Sequence, residues 1–151
     1  MALKERVNEE MKAALLGGDR FVGETLRNLK AAILNEEVAS NKRDTGLSDE
    51  EIEKVVAREV KKRIESAKLY RDNARPELAE IEEREMAILQ TFLPAQLSED
   101  DLRAIVERKA NELAVSTPAD MGRLIGAVKA EVGNTTDGGT VARIVKDVIS
   151  K

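Results

Sequence analysis

Apolar residues recur at steps of three and four along most of this chain, broken by short polar or glycine-rich stretches, and each run predicts an amphipathic helix. A first helix places Leu3, Val7, Met11, Ala14 and Leu15 on one face and stops at Gly17-Gly18. Asp19 caps a second, with Val22, Leu26, Leu29, Ile33 and Val38 inward and Ala31-Ala32 allowing tight packing. It runs out in the polar loop Asn41 to Gly46, where Lys42-Arg43 reads as solvated loop charge. Leu47-Ser48-Asp49-Glu50-Glu51-Ile52 is a strong start for a third helix, with Ser48 as N-cap, Glu51 as capping-box partner and Leu47 stapled onto Ile52. Its inward row is Ile52, Val55, Val56, Val60, Ile64 and Ala67. Its outer face carries the i,i+4 pairs Glu50/Lys54, Glu59/Arg63 and Lys61/Glu65, each worth about 0.3 kcal/mol. Lys61-Lys62-Arg63 reads as part of that solvated face, and Tyr70 as a packed ring with a wet hydroxyl.

Pro76 suits the first position of a fourth helix bearing Leu78, Ile81, Met86, Ile88, Leu89 and Phe92, with Glu77, Glu80, Glu82, Glu83 and Glu85 crowding its early turns. That helix should end just before Pro94, which disfavours helical geometry at Leu93. Leu93-Pro94 is therefore expected as a packed hinge between a domain of about four helices at 1–93 and a smaller three-helix domain at 94–151. Leu97-Ser98-Glu99-Asp100-Asp101-Leu102 starts a fifth helix by the same cap-and-staple chemistry, with Leu102, Ile105, Val106 and Leu113 inward. A sixth is expected from Thr117 as cap, Pro118 in its first position and Asp120 in a capping-box-like role, with Gly133 as its stop. Its apolar row is Met121, Leu124, Ile125, Val128 and Val132. Gly122 and Gly126 interrupt this helix at about 0.5–1 kcal/mol each, so close approach is expected to compensate, by a neighbouring helix or by an RNA backbone. After a polar loop, Val141, Ile144, Val145, Val148 and Ile149 form the inward face of a last helix.

Composition narrows the chemistry. Charged residues are 36% of the chain and aromatics 2%, which favours an all-α protein over a β-sandwich or barrel. Cysteine and histidine are both absent. Disulfides, thiolate sites, cysteine nucleophiles, the usual neutral-pH base and the commonest metal ligand are thereby excluded. No catalytic residue, metal or cofactor is expected. The net charge of −4 is mild, but from Met121 to Lys151 five basic residues face three acidic ones. Arg123, Lys129, Arg143 and Lys146 are thus the candidate anion contacts, with Gly122 and Gly126 as close-approach positions. No run of about 18 apolar residues exists and the first residues lack an apolar signal core, so a cytoplasmic, unprocessed chain away from membranes is expected.

The chain resembles the GatB/YqeY family, in particular its YqeY-type stand-alone members. The likeness rests on an ordered series: Leu3-Lys4-Glu5-Arg6, Thr25-Leu26-Arg27, Leu47 to Glu51, Leu93 to Ser98, Met121 to Gly126, Lys129, Gly133, Asp137-Gly138 and Val145-Lys146. The resemblance implies two all-helical domains, the second similar to the tail of the B subunit of the tRNA-dependent amidotransferase, which helps hold tRNA. The subunit's catalytic part has no counterpart here, nor does an ammonia-releasing amidase, so carbon–nitrogen ligase activity with glutamine as amide donor is implied only through the shared tail. Family members commonly place a basic residue after Gly133, where this chain has Asn134-Thr135.

The expected function is a non-catalytic tRNA-associated accessory protein, with translation or tRNA-modifying proteins as further partners. The alternative is a protein-binding helical adaptor working through its N-terminal domain.

Overall fold

The computed structural model describes residues 2–150 and is all-helical, with no strand among the described residues. Two compact units divide the chain, Met1–Pro94 and Ala95–Lys151. The first holds α1 (Leu3–Leu16), α2 (Arg20–Ala39), α3 (Asp49–Asp72) and α4 (Pro76–Gln90); the second holds α5 (Glu99–Glu112), α6 (Met121–Val132) and α7 (Gly138–Ile149).

In the first unit two hairpins, α1–α2 and α3–α4, close on Val7, Leu26, Leu29, Ile33, Ile52, Val56 and Leu89. The helix starts are set locally. Asp19 Oδ1 accepts the Val22 N–H, and Ser48 and Glu51 form the full reciprocal capping box. Leu47 is buried beside Ile52, as a staple requires. The start of α1 has no side-chain cap of its own; Asp49 of α3 supplies an acceptor for the Leu3 N–H at 3.0 Å. Arg6 reaches the other hairpin, donating to the Thr91 carbonyl and stacking 4.5 Å over Phe92. Arg84 lies 4.0 Å over Phe21 in the same way.

Four expectations about this unit are corrected. α4 ends at Gln90, and Phe92 is buried from the turn that follows. Ile64 is 50% exposed, because α3 turns its Arg63 side toward α4, where Glu85 receives the guanidinium at 3.1 Å. Val38 is 58% exposed and Ile81 42% exposed, since no described helix covers those flanks of α2 and α4. Ala79, which no apolar count ranks highly, is fully buried instead.

The second unit packs Leu102, Val106, Val115, Leu124, Val128, Ile144 and Val145 into one core. Ser98 caps α5 by accepting the Asp101 N–H, and Asp137 caps α7 through Thr140. The start of α6 departs from expectation. Pro118–Asp120 forms a separate 3-10 turn, and neither Thr117 nor Asp120 makes a side-chain cap. Gly133 ends α6 with φ +53°, a conformation that L side chains rarely adopt. The chain between the units is anchored on each side: Leu93 packs against the first core, while the Leu97 N–H donates to Thr135 at 2.8 Å.

Candidate nucleic-acid interface

The buried row of α6 is Leu124, Val128 and Val132. Gly122, Gly126, Lys129 and Gly133 follow one another at steps of four, three and four, and so form a second row on a different side of the helix. Nothing lies within 4 Å of where a Cβ would stand on Gly122, Gly126 or Gly133. Among the described residues no neighbouring helix packs on these glycines, so one of the two expected compensations is not found there. The three glycines of the row face open space.

Lys129 closes one end of that row. A Cβ on Gly138 would meet its Nζ at 3.2 Å, so the ammonium lies over the first turn of α7 and uses the room that glycine leaves. Two positive features, the lysine and the N-terminal end of a helix, therefore share one spot, where the Asp137 carboxylate caps the helix. Lys146 is exposed two turns further along α7. Neither lysine has an ion-pair partner among the described residues.

The two arginines behave differently. Arg123 donates to the Leu113 carbonyl at 2.5 Å, beside the C-terminal end of α5. Arg143 pairs with Glu99 in the first turn of the same helix. Those two ends are about 21 Å apart along the axis of α5, so Arg123 and Arg143 do not share a contact patch. Both are exposed, and both arrive with a partner already engaged.

Other charge clusters tie helices together or run along a single helix. Arg63 bridges Glu59 and Glu85, Arg71 holds Glu83 at 2.7 Å, and Lys62 reaches Glu59. The Glu82 carboxyl is pushed up by burial and by the Glu85 charge beside it, a modest perturbation on the α3–α4 seam. Arg108 pairs with Glu131 and holds its carboxyl below the usual range, linking α5 to α6. No group of three or more carboxylates suited to a metal ion is found among the described residues.

Glu37 escaped the periodicity argument. It continues the row Leu26, Leu29, Ile33 and is 2% exposed, a carboxylate in a core position. Its spacing from Ile33 was the available signal.

A family profile described as Yqey-like protein matches residues 4–149. The chain is also similar to "Altered inheritance of mitochondria protein 41, mitochondrial" of Clavispora lusitaniae (strain ATCC 42720). Identity is 24% over 153 residues, covering 98% of this chain and 85% of that protein. No helix among the described residues is long and apolar enough to cross a membrane.

Proposed function

The chain belongs to the Yqey-like protein family, and from that premise we propose that it is a non-catalytic accessory protein that holds tRNA through residues 95–151. The observation that carries the reading is the uncovered glycines Gly122, Gly126 and Gly133 along and at the end of α6, in one row with Lys129. Glycines that stabilise no internal contact cost helix stability, and a sugar-phosphate backbone lying along them would recover it. Lys129 and Lys146 are the leading phosphate contacts in this proposal. Arg123 and Arg143 join only by exchanging the Leu113 carbonyl and Glu99 for phosphate.

The second unit carries nine acidic and eight basic side chains, so binding is weak and strongly salt-dependent. Kinship with the amidotransferase B-subunit tail belongs to the same proposal, and amide transfer by this chain alone does not. The compartment proposed is the cytoplasm; the mitochondrial label describes the relative. Fluorescence anisotropy of labelled bulk tRNA against the full chain tests the reading. Two lysine contacts predict a slope of log K on log salt of about −1.4 to −1.8, lost in the variant carrying Lys129→Glu and Lys146→Glu. No binding at low salt, or binding that the double variant leaves unchanged, overturns it.

A further inference from the structure

An apolar groove lies between α1 and α2 in the first unit. The helices close on each other near their connected ends, where Leu15 packs directly over Gly23. Toward the other end, between Lys4 and Glu37, they leave a space of about 570 Å³. Val7 and Ile33 floor it, and Ala31 and Leu34 form its α2 wall.

Ala31, Leu34 and Val38 stand at steps of three and four, with Leu34 42% and Val38 58% exposed. That is the spacing by which one helix presents a ridge to another, yet no described helix of this unit takes it up. From Arg27 to Val38 the row spans about 16 Å, the length of three turns.

The lining carries three cations against two acids, in a unit that is otherwise acidic. Residues 1–94 hold twenty acidic against seventeen basic side chains. Around the groove stand Lys4, Arg27 and Lys30, with Arg43 close enough to act on Glu37; Glu5 is the one exposed acid on the lining. Arg27 is paired with exposed Glu24 at 3.1 Å, a contact that an incoming acid exchanges, and Lys30 is held by the neutral Asn8 side chain at 3.0 Å. The floor is held in shape from below, because buried Glu37 binds Lys4 and the Leu47 N–H together.

We propose that this groove docks an amphipathic helix of a partner protein, with aliphatic anchors at i, i+3 or i+4, and i+7 and acidic residues on its flanks. The aliphatic ladder matches Ala31, Leu34 and Val38, and the acids answer Arg27 and Lys30. The proposal stands apart from tRNA binding, which involves the other unit.

The test uses the full chain and two fluorescein-labelled helical peptides that share one leucine ladder, one flanked by glutamates and the other by lysines. The glutamate peptide is expected to saturate and the lysine peptide to bind at least about tenfold more weakly. Leu34→Asp and, separately, Val38→Asp each weaken the glutamate peptide about tenfold or more. Both positions are exposed, so circular dichroism should show an unchanged fold. Arg27→Glu with Lys30→Glu exchanges the preference between the peptides, and none of these variants alters the tRNA titration. The proposal is overturned if neither peptide saturates by about 1 mM, or if Leu34→Asp and Val38→Asp bind as the parent does. It is equally overturned if sodium decanoate or anionic vesicles occupy the groove in place of peptide, or if sedimentation reveals a dimer that Leu34→Asp dissolves.

Discussion

Glu37 and Lys4 form an asymmetric pair: the carboxylate is 2% exposed, the lysine half in water, and 2.7 Å separates Oε2 from Nζ. The same oxygen accepts the buried Leu47 N–H at 3.3 Å, so one side chain joins α1, α2 and the segment before α3. Glu37→Ala should therefore destabilise the protein by about 2–4 kcal/mol, from the void and the stranded N–H together. Glu37→Gln keeps an acceptor for Leu47 and should cost about half as much. Urea unfolding measures both, and a loss below about 0.5 kcal/mol for Glu37→Ala would contradict the assignment.

Acid sensitivity follows from the same carboxylate and from Glu51. The Lys42 ammonium at 2.5 Å and the Ser48 backbone hold the Glu51 carboxyl at about 2, and Lys4 holds that of Glu37 below 4.5. Both carboxyls bind protons less readily folded than unfolded. Their stabilisation is complete above about pH 4.5 and declines as the pH falls below it, for Glu51 down to about 2. Unfolding midpoints measured from neutral pH downward should hold steady and then drop in that window. Glu51→Gln should lower the plateau and flatten the drop, and a drop of unchanged depth would exclude Glu51 as a source.

Glycines of opposite environment should respond in opposite directions. Ala at Gly122 or Gly126 meets open space and should add about 0.5–1 kcal/mol each by improving helix propensity. Ala at Gly23 would put a Cβ 2.4 Å from Leu15 Cδ2 and should cost about 1–3 kcal/mol. Thermal unfolding separates the two cases. A destabilised Gly126→Ala would mean that the α6 row is covered in solution.

The Arg143–Glu99 pair is exposed on both sides, so Glu99→Gln should change stability by less than about 0.5 kcal/mol. It also releases Arg143. If tRNA binds the second unit, affinity should rise and the salt slope steepen by about one contact, or 0.7–0.9. An unchanged slope would place Arg143 outside the RNA contact.

The helix boundaries show where sequence reasoning succeeded and where it stopped. Ser48 with Glu51, Ser98, Asp19 and Gly133 act in space as their local spacing implies. Thr117 and Asp120 carry similar letters and fail, because Pro118 opens a 3-10 turn that ends before α6 begins. The candidate site divides along the same line. That Arg123, Lys129, Arg143 and Lys146 lie on the last two helices was readable from their positions. That Arg123 and Arg143 turn to opposite ends of α5 was not, since Leu113 and Glu99 stand 10 and 44 residues away in the chain.

Taken alone, the order of residues determined that this protein is all helix and where most helices begin, because caps and apolar steps act within about four residues. Tertiary packing decided which flank of each helix meets another. It buried Glu37, left Val38, Ile64 and the Gly122–Gly126 row in solvent, and engaged two of the four candidate cations. Burial depends on neighbours brought from elsewhere in the chain, and no local pattern carries that information.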